Sequence, residues 1–286
     1  MEEISVNKIK FTANKDANYV YHMLSVAKCG YDNDYGRRYR GLYPVEDLEI
    51  LKKHEDLITV CGGEHCGELY SLLAAEPACG YIPAKDQYAG LIKMAEDGEV
   101  PPESVKYIGT VREIAEVMIK HYDHYVNEIW EAEEAKIVSY IPTVEELFEV
   151  SGFSDKAEEL VGQVLPVRYF IATLVTSVSG GAEAINVSME QDLFGIDRTA
   201  EEEFAFIGHE FIIYLLLEAL KDEEAFKEHD TWNLTEGLAE FFLRKLIGKV
   251  LPWSECEEHI ELYEKLWGEG CKSAVELYRK AYEVRR

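Results

Sequence analysis

Positive charge is what this chain has least of. Its 286 residues carry 29 Lys and Arg against 55 Asp and Glu, a formal charge of -26. A nucleic-acid binder displaces counterions from phosphates with a basic footprint, so this balance argues against a nucleic-acid partner. Anionic membrane surfaces are disfavoured for the same reason. No apolar run reaches about 18 residues, so no segment is expected to span a membrane. The opening Met1-Glu2-Glu3-Ile4-Ser5 lacks the basic and apolar regions of a secretory signal. Cysteine is sparse: Cys29, Cys61, Cys66, Cys79, Cys256 and Cys271 do not make a disulfide framework in a chain this long. Free thiols in a reducing cytoplasm are the expectation. There is no G-x-S-x-G elbow for a serine hydrolase, no internal repeat and no low-complexity tract.

What the chain does have is apolar material, 47% of residues, enough for one large core or two modest ones. Most of it falls at helical spacing. Residues 16–27 place Tyr19, Val20, Met23, Leu24 and Ala27 on one face, and 45–57 and 87–96 read as further helices. A Gly-, Asp- and Tyr-rich linker covers 30–44, and a short β-branched run at 58–61 stops at Gly62-Gly63. Residues 111–140 carry one apolar stripe and predict a single long helix. Thr143 and Glu146 have the spacing of a capping box for a helix over 143–150, and 154–161 predicts another. The texture then changes. The run 167–178 is β-branched and aromatic and reads as a strand, Ser179-Gly180-Gly181 breaks it, and 184–189 reads as a second strand. From Thr199 the chain is helical again. The class is α+β, mostly α-helical, with a mainly helical region 1–162 and a second region 163–286.

The segment 201–220, EEEFAFIGHEFIIYLLLEAL, is too apolar for a surface helix, yet it holds His209 and Glu210. Charged groups are seldom buried without partners. A His-Glu dipeptide alone says little, since His54-Glu55 repeats it. Further on comes Thr235-Glu236-Gly237-Leu238-Ala239-Glu240-Phe241. Together these runs resemble the gluzincin metallopeptidases over about residues 165–250. In that family a helix bearing H-E-x-x-H supplies two zinc ligands from one face, and an E-G-[LF]-A-E-[YF] run on a second helix supplies the third. The resemblance implies zinc as cofactor and a peptide or protein as substrate, with the edge strand before the active-site helix lining the cleft. It makes His209 and Glu236 metal ligands and Glu210 the general base on metal-bound water. Glu240 becomes a hydrogen-bond partner near the site or a substitute ligand.

The departure is at the second histidine. That position holds Ile213, which has no donor atom, and Tyr214 lies about 140° around the helix from His209. A catalytic zinc usually needs three protein ligands and an open position. His229 and His259 are the other histidines in the region that are open as substitutes. Catalysis is therefore expected to be impaired or altered, and the alternative is a non-catalytic peptide- or partner-binding protein on a degenerate peptidase fold.

Three other clusters are weaker. Cys61-Gly62-Gly63-Glu64-His65-Cys66 has metal-ligating residue types but no second pair at finger spacing. His121 and His124 with Glu128 read as a polar helix edge. Tyr35-Gly36-Arg37-Arg38-Tyr39-Arg40 either pairs with acidic surface or recognises a carboxylate.

Overall fold

The computed structural model describes residues 7–30, 32–59, 67–98, 102–178, 182–184, 190–227, 232–248 and 256–285. The chain divides into two compact units that exchange segments: a first unit of Met1–Lys10, Pro142–Ile171 and Arg198–Arg286, and a second of Phe11–Ile141 and Ala172–Asp197. The N-terminal strand and the segment 172–197 each carry the chain from one unit to the other.

In chain order the elements are β1 (Ile9–Ala13), α1 (Lys15–Val26), α2 (Asp34–Tyr39), α3 (Val45–Lys53), α4 (Glu55–Ile58), α5 (Glu76–Cys79), α6 (Ala84–Asp97) and α7 (Ile108–Glu128). Then follow α8 (Trp130–Ser151), α9 (Phe153–Val161), β2 (Phe170–Val175), β3 (Ala182–Ala184), β4 (Gln191–Gly195), α10 (Ala200–Leu220), α11 (Trp232–Ile247), α12 (Glu257–Gly268) and α13 (Ala274–Arg285). The fold is mostly helical with one small sheet, as the patterning requires. Among the described residues no helix is long and apolar enough to cross a membrane.

Several local readings are corrected. The long helix expected over 111–140 is two helices, α7 and α8, with a break at Ile129 (φ -124°, ψ -45°). The Thr143–Glu146 box caps nothing, because α8 runs on through Pro142 to Ser151. Proline there removes the hydrogen bond to the Val138 carbonyl, a loss made tolerable by Val138 being 53% exposed. The linker at 30–44 contains α2, N-capped by the Asn33 side chain on the Gly36 N–H. Of the expected strand at 167–178, residues Phe170–Val175 pair. A strand forms at Ala182–Ala184, and the rest of the expected second strand, 185–189, lies outside the described residues, as does Gly180-Gly181.

The sheet order is β1-β2-β4-β3, with β3 at one edge antiparallel to β4 in the register Ala182↔Phe194, Glu183↔Leu193 and Ala184↔Asp192. β2 and β4 are buried at nearly every position, as a strand covered on both faces must be. In the second unit Asn18 fastens α1 to β2, its Nδ2 donating to the Leu174 carbonyl at 3.0 Å and its Oδ1 accepting from the Thr176 N–H at 3.2 Å. Around α1 the core is built of tyrosines: Tyr19 packs against Tyr122 and Tyr125, and its hydroxyl donates to the Met118 carbonyl.

In the first unit the core is a run of edge-to-face rings, Phe148, Phe153, Phe204, Phe211 and Phe170, that joins α8, α9 and α10 to the start of β2. α10 sits at its centre. It opens with a capping box in which Thr199 and Glu202 satisfy each other's backbone N–H. Beyond its first turn it is buried on almost every face, as its composition demands.

Candidate functional site

Two close helix contacts place the site, and both need glycine. At Gly208 of α10 an added Cβ would lie 2.8 Å from Phe153 Cζ and 3.3 Å from Leu243 Cδ1, so side chains of α9 and α11 press on α10 beside His209. At Gly237 of α11 a Cβ would lie 2.4 Å from His259 Cβ, which seats α12 against α11. The site residues are the immediate neighbours of these glycines, His209 and Glu236.

The histidine and the glutamate, 27 residues apart in sequence, meet. His209 Nε2 lies 3.0 Å from Glu236 Oε2. Glu236, Glu240 and Arg244 recur every four residues along one face of α11. Glu240 turns one oxygen toward the other side of the ring, with His209 Nδ1 3.7 Å from Glu240 Oε2, beyond hydrogen-bond length. Its other oxygen accepts from Arg244 Nε at 2.7 Å. Arg244 in turn grips Glu257 of α12 through both terminal nitrogens at 2.9 Å, the parallel fork that fixes a guanidinium on a carboxylate. The chain of contacts Glu236–His209–Glu240–Arg244–Glu257 thus links three helices. His209 and Glu240 are buried, whereas the Glu236 side chain is 30% exposed, so water reaches the network from the Glu236 side.

Burial works against a charged imidazole at His209, yet the carboxylates of Glu236 and Glu240, with the nearby Glu210 charge, overcome it and lift the pKa to about 10. The imidazolium, which has two donors, is the form this environment selects. Burial raises the Glu210 pKa, the His209 charge opposes that, and the Glu236 charge adds to it. Between its two carboxylates, Arg244 is held charged at all working pH, its pKa raised further despite partial burial.

Ile213 lies one turn beyond His209 on α10 and is buried, 6% exposed, contributing packing and no donor. Tyr214 turns away to pack against Phe170, with ring centroids 6.2 Å apart. His259 is buried against Gly237 with neither ring nitrogen hydrogen-bonded, and burial lowers its pKa. His229 lies outside the described residues.

The residues as they stand do not fit a catalytic zinc ion. Among the described residues no group of three His, Cys, Asp or Glu side chains is gathered as a metal-ligand set. His209 and Glu236 supply two donors. Glu240 has one oxygen committed to Arg244, and Ile213 supplies none. His209 Nδ1 is a buried nitrogen without a hydrogen-bond partner, which marks an unfinished network.

Sequence reasoning missed Arg244 and Glu257. The four-residue step from Glu240 to Arg244 is legible, whereas the fork onto Glu257 depends on how α12 packs. Of the remaining clusters, the one at His121 resolves as structure. His121 Nε2 bonds Asp47 Oδ2 at 2.7 Å, and Lys120 joins the same carboxylate, so this helix edge ties α7 to α3. The Cys61–Cys66 cluster lies outside the described residues. No family model, curated protein or solved structure matches the chain.

Proposed function

We propose that the first unit carries a metallopeptidase-like site of gluzincin type in which Ile213 leaves zinc one donor short, so that peptide-bond hydrolysis is impaired or lost. The observation that carries this reading is the meeting of His209 and Glu236 at 3.0 Å from two packed helices, with Glu240 one turn further on and Glu210 beside the histidine. With the metal site incomplete, His209 and Glu236 satisfy each other as an ion pair, and the raised pKa of Glu210 makes it a group able to exchange protons nearer neutrality.

A second reading is favoured by β3. Among the described residues it is one of the two terminal strands of the sheet, and a terminal strand offers backbone groups to an extended peptide. A protein that holds a peptide there without cleaving it would keep the strand and have no need of the second histidine.

Elemental analysis of protein purified without chelator, followed by dialysis, tests the first reading. The expected result is zinc well below one per chain that dialyses away. One zinc per chain surviving dialysis would mean that a third donor completes the site, and the impaired-site reading would fall.

A further inference from the structure

The arginine-rich segment of the second unit takes no part in the His209 network, and two of its three arginines are occupied. Arg37 pairs with Asp32 at 3.1 Å and with Asp34 at 2.8 Å. Arg40 Nε donates to the Val26 carbonyl at 2.8 Å. Arg38 differs. It touches the Tyr39 ring but forms no ion pair with any described carboxylate, and it lines a cleft of about 600 Å³ within the second unit. Lys136 of α8 lines the same cleft and is likewise without an ion pair among the described residues.

In a chain with 55 acidic and 29 basic residues, two unmatched cations in one cleft call for a physical reason. The cleft's own acids do not supply their partners. Asp32 and Asp34 are held by Arg37, and Asp197 has a partner of its own. The buried wall is polar. The Tyr35 hydroxyl is fixed 2.7 Å from His22 Nδ1. Thr176 Oγ1 is buried beside that hydroxyl and has no partner of good hydrogen-bond geometry. The cleft thus presents a planar guanidinium and an ammonium over a polar wall. Its volume is that of a small-molecule site.

We propose that this cleft binds a small carboxylate anion, held between Arg38 and Lys136. A guanidinium presents two parallel N–H donors that match the two oxygens of a carboxylate. The three aspartates lining the cleft disfavour a multiply charged phosphate. The carboxylate can belong to a free organic acid or to a peptide C-terminus, and the proposal does not depend on the reading of the His209 site.

Calorimetric titration of the full chain at low salt tests it with propanoate, N-acetyl-Ala-Ala, the C-terminal amide of that peptide, and inorganic phosphate. The expectation is saturable, millimolar-range binding of propanoate, of N-acetyl-Ala-Ala or of both, which identifies the source, and none of the amide. R38A/K136A should weaken binding by about tenfold or more, since two charge-assisted contacts are lost. Both side chains are exposed, so the variant should melt with the parent. Amide-shift mapping of the parent provides a check that needs no variant: the bound carboxylate should move the resonances of Tyr35 and Thr176. The proposal is overturned if neither carboxylate binds, if the amide binds equally well, if phosphate binds more tightly than both carboxylates, if R38A/K136A binds as the parent does, or if the shifts map elsewhere.

Discussion

Two buried histidines, one in each unit, are driven to opposite charge states. His22 in α1 is fully buried, with Nδ1 and Nε2 each 2.7 Å from a phenol oxygen, those of Tyr35 and Tyr43. Burial first, and the neighbouring His124 second, lower its pKa to about 3. A neutral imidazole has one donor and one acceptor, and tyrosine hydroxyls serve either role. His209 is almost as buried but faces Glu236 and Glu240, and its pKa rises to about 10. Burial is common to both, so the neighbours decide. The lesson concerns function: a buried histidine among phenols completes a core, whereas one among carboxylates resembles a site prepared for a cation.

The largest test of this contrast is the pH dependence of stability. The folded pKa of His22 lies below the unfolded value of about 6.5, so its contribution is full above that pH and is lost as pH falls toward about 3. For His209 the sign reverses. Its contribution is full below about 6.5 and is lost as pH rises through about 10. Each limb is worth at most roughly 4–5 kcal/mol. Urea denaturation across pH should show His22→Phe flattening the acid limb and His209→Gln flattening the alkaline one. Identical curves for parent and variants would remove the charge assignment.

Next in size is Glu240→Ala. It strips a buried carboxylate from between His209 and Arg244 and should cost about 3 kcal/mol in denaturation midpoint analysis. Tyr43→Phe in the second unit removes a neutral partner of His22 and should cost less, about 1–2 kcal/mol. If Glu240→Ala costs no more than Tyr43→Phe, the network around His209 is not the charged structure described.

Much of the site was legible in the sequence, because its residues lie in two short runs on helices. His209, Glu236 and Glu240 were marked by the resemblance of two short runs to gluzincin motifs, and the apolar excess of α10 foretold its burial. The strands were less legible. β4 (Gln191–Gly195) has no alternation of its own, and β1 (Ile9–Ala13) alternates over only five residues, so pairing with neighbouring strands makes them strands. The break at Ile129 was hidden because apolar positions continue across it from α7 into α8, and Val144 and Phe148, both buried, carry α8 past Pro142. The His22 cluster left no trace in local pattern. Its tyrosines and histidine are assembled from α1, α2, α7 and the residues just before α3.

The central claim is that Ile213 occupies the position of a missing metal ligand. Zinc titration of Ile213→His beside the parent tests it directly, with thermal melts to verify folding. A histidine at 213 lies one turn from His209 on the same helix face. Burying it should cost roughly 1–3 kcal/mol without metal, and zinc should recover part of that loss. The account predicts that zinc affinity rises by orders of magnitude over the parent, because a third strong donor completes the site. A folded variant that binds zinc no better than the parent would contradict it.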